Sequence, residues 1–185
     1  QEAGYNRDTH KVIGVDYAGR PLSDGITLIH GIPSLGTRKM PDVRTLAELE
    51  ESISKYGGHS LVEGIINPGD TVAIVDDVRS FFDSKLIAAR QVQRHLEING
   101  ISNVRCHDVG VLIDYELDKG VEEARKAGFN VFSFILLRTF GMQQIRSYLT
   151  EQEFGVISDF LENPSKYQDP ELQKYLKQLA EQSNL

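Results

Sequence analysis

The sequence predicts an α/β domain: a mostly parallel sheet flanked by helices, with a helical tail. Three observations lead there. Short apolar runs rich in β-branched residues alternate with helical patterns along the chain. The run Val72-Ala73-Ile74-Val75 is continuous and short, the pattern of a strand buried on both faces. It passes directly into Asp76 and Asp77, then a short loop, then a helix opening near Asp83 or Ser84.

Residues 1–10 are polar and read as a loose lead-in. Lys11–Val15 is the first strand. Pro21–His30 carries mixed signals: Ile26, Thr27 and Ile29 favour strand, whereas Pro21 and Gly31 suit the first turn and the end of a helix. Ile32–Lys39 reads as the next strand. In Asp42–Ser54, Leu46, Leu49 and Ile53 form a helical stripe, and Asp42 or Thr45 can cap it. Ser84–Glu97 is a helix with Leu86, Ile87, Val92 and Leu96 inward and Gly100 as its stop. Val104–Ile113 is a strand, Asp118–Ala127 a short helix ended by Gly128, and Asn130–Leu137 a further strand. Thr150 and Glu153 form a capping box for a tail helix whose apolar face is Phe154, Ile157 and Leu161. Asn163-Pro164 breaks it, and Asp169-Pro170-Glu171 opens a last helix carrying Leu172, Tyr175, Leu176 and Leu179. The division expected is a core over residues 1–149, with a loop and helix inserted at about 40–59, and an extension of the same domain over 150–185.

At 185 residues the chain suits one domain with a sizeable core. Hydrophobic residues make up 40% and charged residues 25%, the balance of a globular protein. A net charge of −7 excludes a broad basic surface for nucleic acid. No apolar run is long enough to span a bilayer, and the start lacks a signal-peptide pattern. With one cysteine and no export signal, the expectation is the reducing cytoplasm. Cys106 reads as a packed small hydrophobe in a strand, and zinc-ligand spacing is absent.

Asp76 and Asp77 stand where open α/β sheets bind ligands, at the carboxyl end of a strand. They also suit a plain strand end and turn. The stretch Thr71–Lys85 resembles the phosphoribosyl-diphosphate (PRPP) motif of type I phosphoribosyltransferases, and most closely that of orotate phosphoribosyltransferase: an apolar strand, two acids, two variable residues, then Thr-Thr-Gly-Gly-Ser/Thr. Ser60–Gly64 with Asn67–Asp70 resembles the family's lead-in, and Val109–Asp114 followed by Ala127-Gly128 resembles a later strand and helix. The similarity runs over Val12–Thr139.

The resemblance implies a helix over Pro21–His30 and roles for individual residues. Asp76 and Asp77 would hydrogen-bond the ribose hydroxyls of PRPP. Ser80 and Ser84 would donate to its phosphate. Tyr17 and Gly19 would lie in a loop touching diphosphate. Arg38 and Lys39 would begin a mobile catalytic loop, Lys39 neutralising the leaving diphosphate. Tyr115 stands where the family places an arginine for the orotate carboxylate. Mg²⁺ would accompany PRPP if PRPP binds, and a homodimer is implied.

Several positions depart from the pattern. Phe81 replaces a hydroxyl residue, and Phe82 and Asp83 replace both glycines. Asp83 can cap the following helix and so take the anion site for itself. Asp16 adds a negative charge and Ala18 replaces a cation. Tyr56-Gly57 falls where His-Gly is usual, with Lys55 and His59 out of place. The family's extra amino-terminal region has only residues 1–10 in its position. The leading expectation is therefore an orotate phosphoribosyltransferase-like protein with catalysis impaired or lost, a binding or regulatory module. The alternatives are an active transferase of PRPP to orotate or a related base, and a self-associating structural protein on the same fold.

Overall fold

The computed structural model describes residues 6–37, 40, 43–56 and 61–183. Six strands form one sheet: β1 (His10–Gly14), β2 (Ser34–Thr37), β3 (Val62–Glu63), β4 (Thr71–Arg79), β5 (Arg105–Asp114) and β6 (Asn130–Leu136). Their spatial order is β3-β2-β1-β4-β5-β6, and every neighbouring pair is parallel except β2 with β3. The helices are α1 (Asp16–His30), α2 (Leu46–Tyr56), α3 (Asp83–Asn99), α4 (Asp118–Lys126), the short α5 (Met142–Ile145), α6 (Glu151–Glu162) and α7 (Pro170–Ser183). The expected α/β architecture is present, and β4 lies in the middle of the sheet.

Side-chain alternation along β4 divides the core between two faces. Val72 and Ile74 are fully buried with Ala88 and Val92 of α3. Ala73 and Val75 point the other way, into a trough of about 800 Å³ that they share with Leu22 and Ile26 of α1. Leu112 of β5 and Phe132 and Phe134 of β6 extend that trough, and the two phenylalanines are exposed. Cys106 packs against the core on the α3 side, where burial pushes its thiol up to about 12, so it stays protonated at neutral pH. α2 packs through Leu49 and Ile53 against Leu61 and Ile87, while Leu46 is exposed. Asp42 lies outside the described residues. Thr45 serves as the cap: its Oγ1 accepts from Glu48 N at 3.2 Å, and Glu48 Oε2 accepts from Thr45 N at 2.8 Å.

Two local expectations are corrected. The chain is already helical at Asp16–Gly19, where a loop was expected. A positive φ of 47° at Asp16 makes the turn out of β1, and Gly19 N donates to Val15 O at 2.9 Å to close the first turn. β4 also runs on through Asp76 and Asp77 to Arg79, because the ladder to β5 continues through Asp76↔Val111, Val78↔Ile113 and Arg79↔Asp114. The expected helix stops hold: Gly31, Gly100 and Gly128 all take positive φ.

The tail opens on the expected box. Glu153 N donates to Thr150 Oγ1 at 3.2 Å, and Thr150 N donates to Glu153 Oε2 at 2.8 Å. Asn163-Pro164 ends α6 in a 3₁₀ turn over Pro164–Gln168. Asp159 ties that turn back: Lys166 Nζ at 2.6 Å, Tyr167 Oη at 2.7 Å and Asn163 Nδ2 at 2.9 Å all donate to its carboxylate. These donors, Lys166 foremost, hold the Asp159 carboxyl down at about 2. A depressed carboxylate stabilises the fold above its unfolded value, and that contribution is lost as pH falls through the folded one. Acidification from about pH 5 to about pH 2 will therefore release the 3₁₀ turn from α6. Nuclear magnetic resonance shifts of Lys166 and Tyr167 measure this, and Asp159→Asn should remove the transition.

Phe82 is the largest fully buried side chain described, at 2% exposure. Its ring meets Phe129 at 5.5 Å between centroids. Replacing it with Ala keeps the positive-φ strain equal in both proteins and removes only the ring. Phe82→Ala should cost about 3–5 kcal/mol in chemical denaturation.

Candidate functional site

The turns leaving β1 and β4 lie side by side at the carboxyl edge of the sheet. The first is packed hard against β4: a Cβ on Gly19 would sit 2.4 Å from Val75 O. The second, Ser80–Phe82, is pinned from below by α4, since a Cβ on Gly120 would come within 1.9 Å of Ser80 O. Phe82 adopts φ 75° and precedes α3 as its N-cap, with no side-chain cap bond. Its carbonyl accepts from Lys85 N at 3.1 Å and Leu86 N at 3.2 Å. Asp83, expected as the cap, instead occupies the first turn with its side chain exposed. The cause is Phe82 itself: once the ring enters the core, the backbone has turned before Asp83 is reached.

A cleft of about 320 Å³ opens between these turns and the segment after β2. Ser80, Ser84, Thr37 and Arg44 supply its donors, and Val15, Met40, Val43, Ile87 and the Phe81–Phe82 pair give it apolar walls. Asp16 and Asp83 both line it. Each sits in the first turn of a helix, so each opposes the positive helix end that would otherwise draw an anion into the cleft.

The two acids of β4 part company. Asp77 is exposed. Asp76 is 6% exposed, and its Oδ2 lies 2.5 Å from Lys85 Nζ. Asp76 Oδ1 accepts from Asp77 N at 3.0 Å. Lys85 Nζ also donates to Ser84 Oγ at 3.2 Å and to the Val78 carbonyl. Burial pushes the Asp76 carboxyl up from its ordinary value, against the pull of Lys85. Neither acid is among the residues lining the cleft.

Between β4 and β5, Arg79 and Asp114 form a second buried pair. Arg79 Nε donates to Asp114 Oδ1 at 2.9 Å, and Arg79 Nη2 pairs with Oδ2. Ser133 Oγ and Glu116 N complete the shell of that carboxylate at 2.9 and 2.8 Å. The next residue, Tyr115, turns into a cluster with Phe81, Leu117, Met142 and Leu161, its ring edge-on to Phe160 at 5.9 Å.

The structure thus brings Ser80 and Ser84 to the cleft. Tyr17 stands 80% exposed on α1. Gly19 is buried within α1, and Tyr115 packs towards the tail. Arg38 and Lys39 lie outside the described residues, as do Gly57 and His59. Lys85, Arg79 and Asp114 were not singled out from the sequence. For Lys85 a signal existed: at i, i+3 and i+7 it shares a stripe with Ala88 and Val92, and a lysine on a buried stripe demands an acid nearby. For the Mg²⁺ implied alongside PRPP, the acids of β4 are the nearest candidates among the described residues. Asp76 is engaged on both oxygens, and among the described residues no three His, Cys, Asp or Glu side chains gather to hold a metal.

No protein-family model matches the chain. By sequence it is 31% identical over 139 residues to uridine 5'-monophosphate synthase of Bos taurus, covering 75% of this chain and 24% of that protein. It is 26% identical over 128 residues to orotate phosphoribosyltransferase of Pyrococcus abyssi, covering 69% of this chain and 59% of the relative. The fold matches the UMP synthase of Leishmania donovani with a TM-score of 0.60 at 20% identity, over 82% of this chain and 28% of that one. The chain is a relative of the orotate phosphoribosyltransferases, with the type I phosphoribosyltransferase fold. Orotate phosphoribosyltransferase from Aeropyrum pernix shares that fold with a TM-score of 0.50 at 23% identity, over 75% and 65% of the two chains. The chain therefore spans less than two thirds of the curated relatives it matches.

On this phosphoribosyltransferase fold the carboxyl edge is braced by its own charges. Removing Asp114 leaves the Arg79 guanidinium buried without its partner. Asp114→Ala should cost about 3–5 kcal/mol in denaturant unfolding, with part of the loss recovered when Arg79→Met accompanies it.

Proposed function

We propose that this chain is an orotate phosphoribosyltransferase-like module whose catalysis is impaired or lost, and whose cleft takes a phosphoribosyl or nucleotide-like ligand weakly. The observation that carries this reading is the loop lining the cleft. Where the family has glycine, Phe82 puts a ring into the core, and that ring fixes the backbone whose N–H groups would wrap a phosphate. Asp83 and Asp16 add two carboxylates to the lining. A carboxylate at ~4–5 Å from a phosphate dianion costs on the order of a few kcal/mol in a partly buried site.

The relatives support pyrimidine nucleotide chemistry as the origin of the cleft, since their names are uridine 5'-monophosphate synthase and orotate phosphoribosyltransferase. A second reading, an active transferase joining PRPP to orotate or a related base, is favoured by one observation: Ser80 and Ser84 both line the cleft beside the amino end of α3. In that reading Lys39 neutralises the departing diphosphate.

Calorimetric titration with PRPP and Mg²⁺, followed by an orotate turnover assay, tests the proposal. The expected result is weak PRPP binding and no measurable turnover. Phe81→Thr with Asp83→Gly, which leaves the Phe82 ring in the core, should tighten PRPP binding by about tenfold. Tight binding with turnover by the unaltered chain overturns the reading in favour of the enzyme.

A further inference from the structure

Lys85 occupies a place in the fold where an apolar side chain is the ordinary choice. It lies on the buried stripe of α3 and is itself 3% exposed. Its ammonium meets three oxygens: Asp76 Oδ2 at 2.5 Å, Ser84 Oγ at 3.2 Å and the Val78 carbonyl. Three acceptors match the three N–H donors of a lysine. A shell of carboxylate, carbonyl and hydroxyl oxygens is also the chemistry that holds a small hard cation.

As a stabilising device alone the pair is a poor choice. Desolvating two buried ions consumes about what their attraction returns, and an apolar pair of similar volume would serve as well. What the pair does achieve is geometric. It ties the carboxylate of β4 to the Ser80–Ser84 turn from the inside, through Val78 and Ser84 on either side.

We propose that Lys85 is a specificity-determining residue that stands in for a bound cation at Asp76. Its ammonium satisfies the carboxylate from within the protein, holds the turn closed on β4 and withdraws Asp76 from any molecule in the cleft. A chain with an apolar residue at this position would leave Asp76 and Asp77 adjacent and without a counter-ion. This inference rests on the reading that the cleft descends from a PRPP site, but it is tested without PRPP.

The experiment compares the full chain with Lys85→Ala and with Asp76→Asn/Lys85→Ala, each titrated with Mn²⁺ alone by calorimetry and by electron paramagnetic resonance. Emptying the ammonium position in Lys85→Ala should create one Mn²⁺ site at least about tenfold tighter than any in the unaltered chain. The added Asp76→Asn should abolish it. A lysine that is merely structural lowers the melting temperature of Lys85→Ala without creating cation affinity, so a folded Lys85→Ala that binds Mn²⁺ no better than the original overturns the proposal. If Lys85→Ala does not fold, Lys85→Met and Asp76→Asn/Lys85→Met decide. These are titrated with Mn²⁺ in the same way: a site in Lys85→Met that is lost in the double variant supports the proposal, and no gain in Mn²⁺ affinity overturns it. PRPP binding by the unaltered chain bears on the proposed function only, so the two failures are distinguishable.

Discussion

The handover from β4 to α3 depends on where one aromatic ring goes. Phe82 takes a left-handed backbone conformation that β-branched and bulky residues rarely adopt, and its buried ring offsets that strain. With the ring seated among Val72, Val92 and Phe129, the preceding turn cannot lift away from the sheet. The cleft, the start of α3 and the position of Lys85 all follow from that seating. A glycine there would reach the same dihedral angles without a ring to anchor them. The same bend that gives a flexible phosphate cradle in the family's pattern gives a fixed wall in this chain.

Charge completes what the ring begins. Two buried ion pairs tie β4 to its neighbours: Asp76 with Lys85 of α3, and Arg79 with Asp114 of β5. Each carboxylate has its remaining oxygen valence filled by backbone or hydroxyl donors. The carboxyl edge of the sheet, where open α/β folds expose polar groups to ligands, is here satisfied largely by the protein itself. The two acids left facing the cleft, Asp16 and Asp83, belong to helix starts rather than to the sheet.

Much of the fold was legible in the sequence because its signals are local. The apolar run of β4, the glycine stops at 31, 100 and 128, and the Thr150–Glu153 box each act within a few residues. What was not legible depends on partners far along the chain. Strand propensity argues against Asp76 and Asp77, yet the ladder to β5 carries β4 past both. The start of α1 at Asp16 is set by close packing of Gly19 on β4. At the site, hydroxyl residues could be read from the motif, but the fate of Asp76 required knowing that Lys85 folds back over it. No spacing rule reports that Tyr115 leaves the carboxyl edge to join the tail.

Phe81 belongs to two structures at once. Its ring lines the cleft, and it also packs in the cluster formed by Leu117, Met142 and Leu161 beneath α6. The wall of the cleft and the seat of the tail are thus opposite sides of one side chain. Any partner that grips α6 therefore leans on the cleft through a single ring. The tail is mechanically in series with the site, so a lesion in α6 can present as a binding defect while every residue lining the cleft is intact.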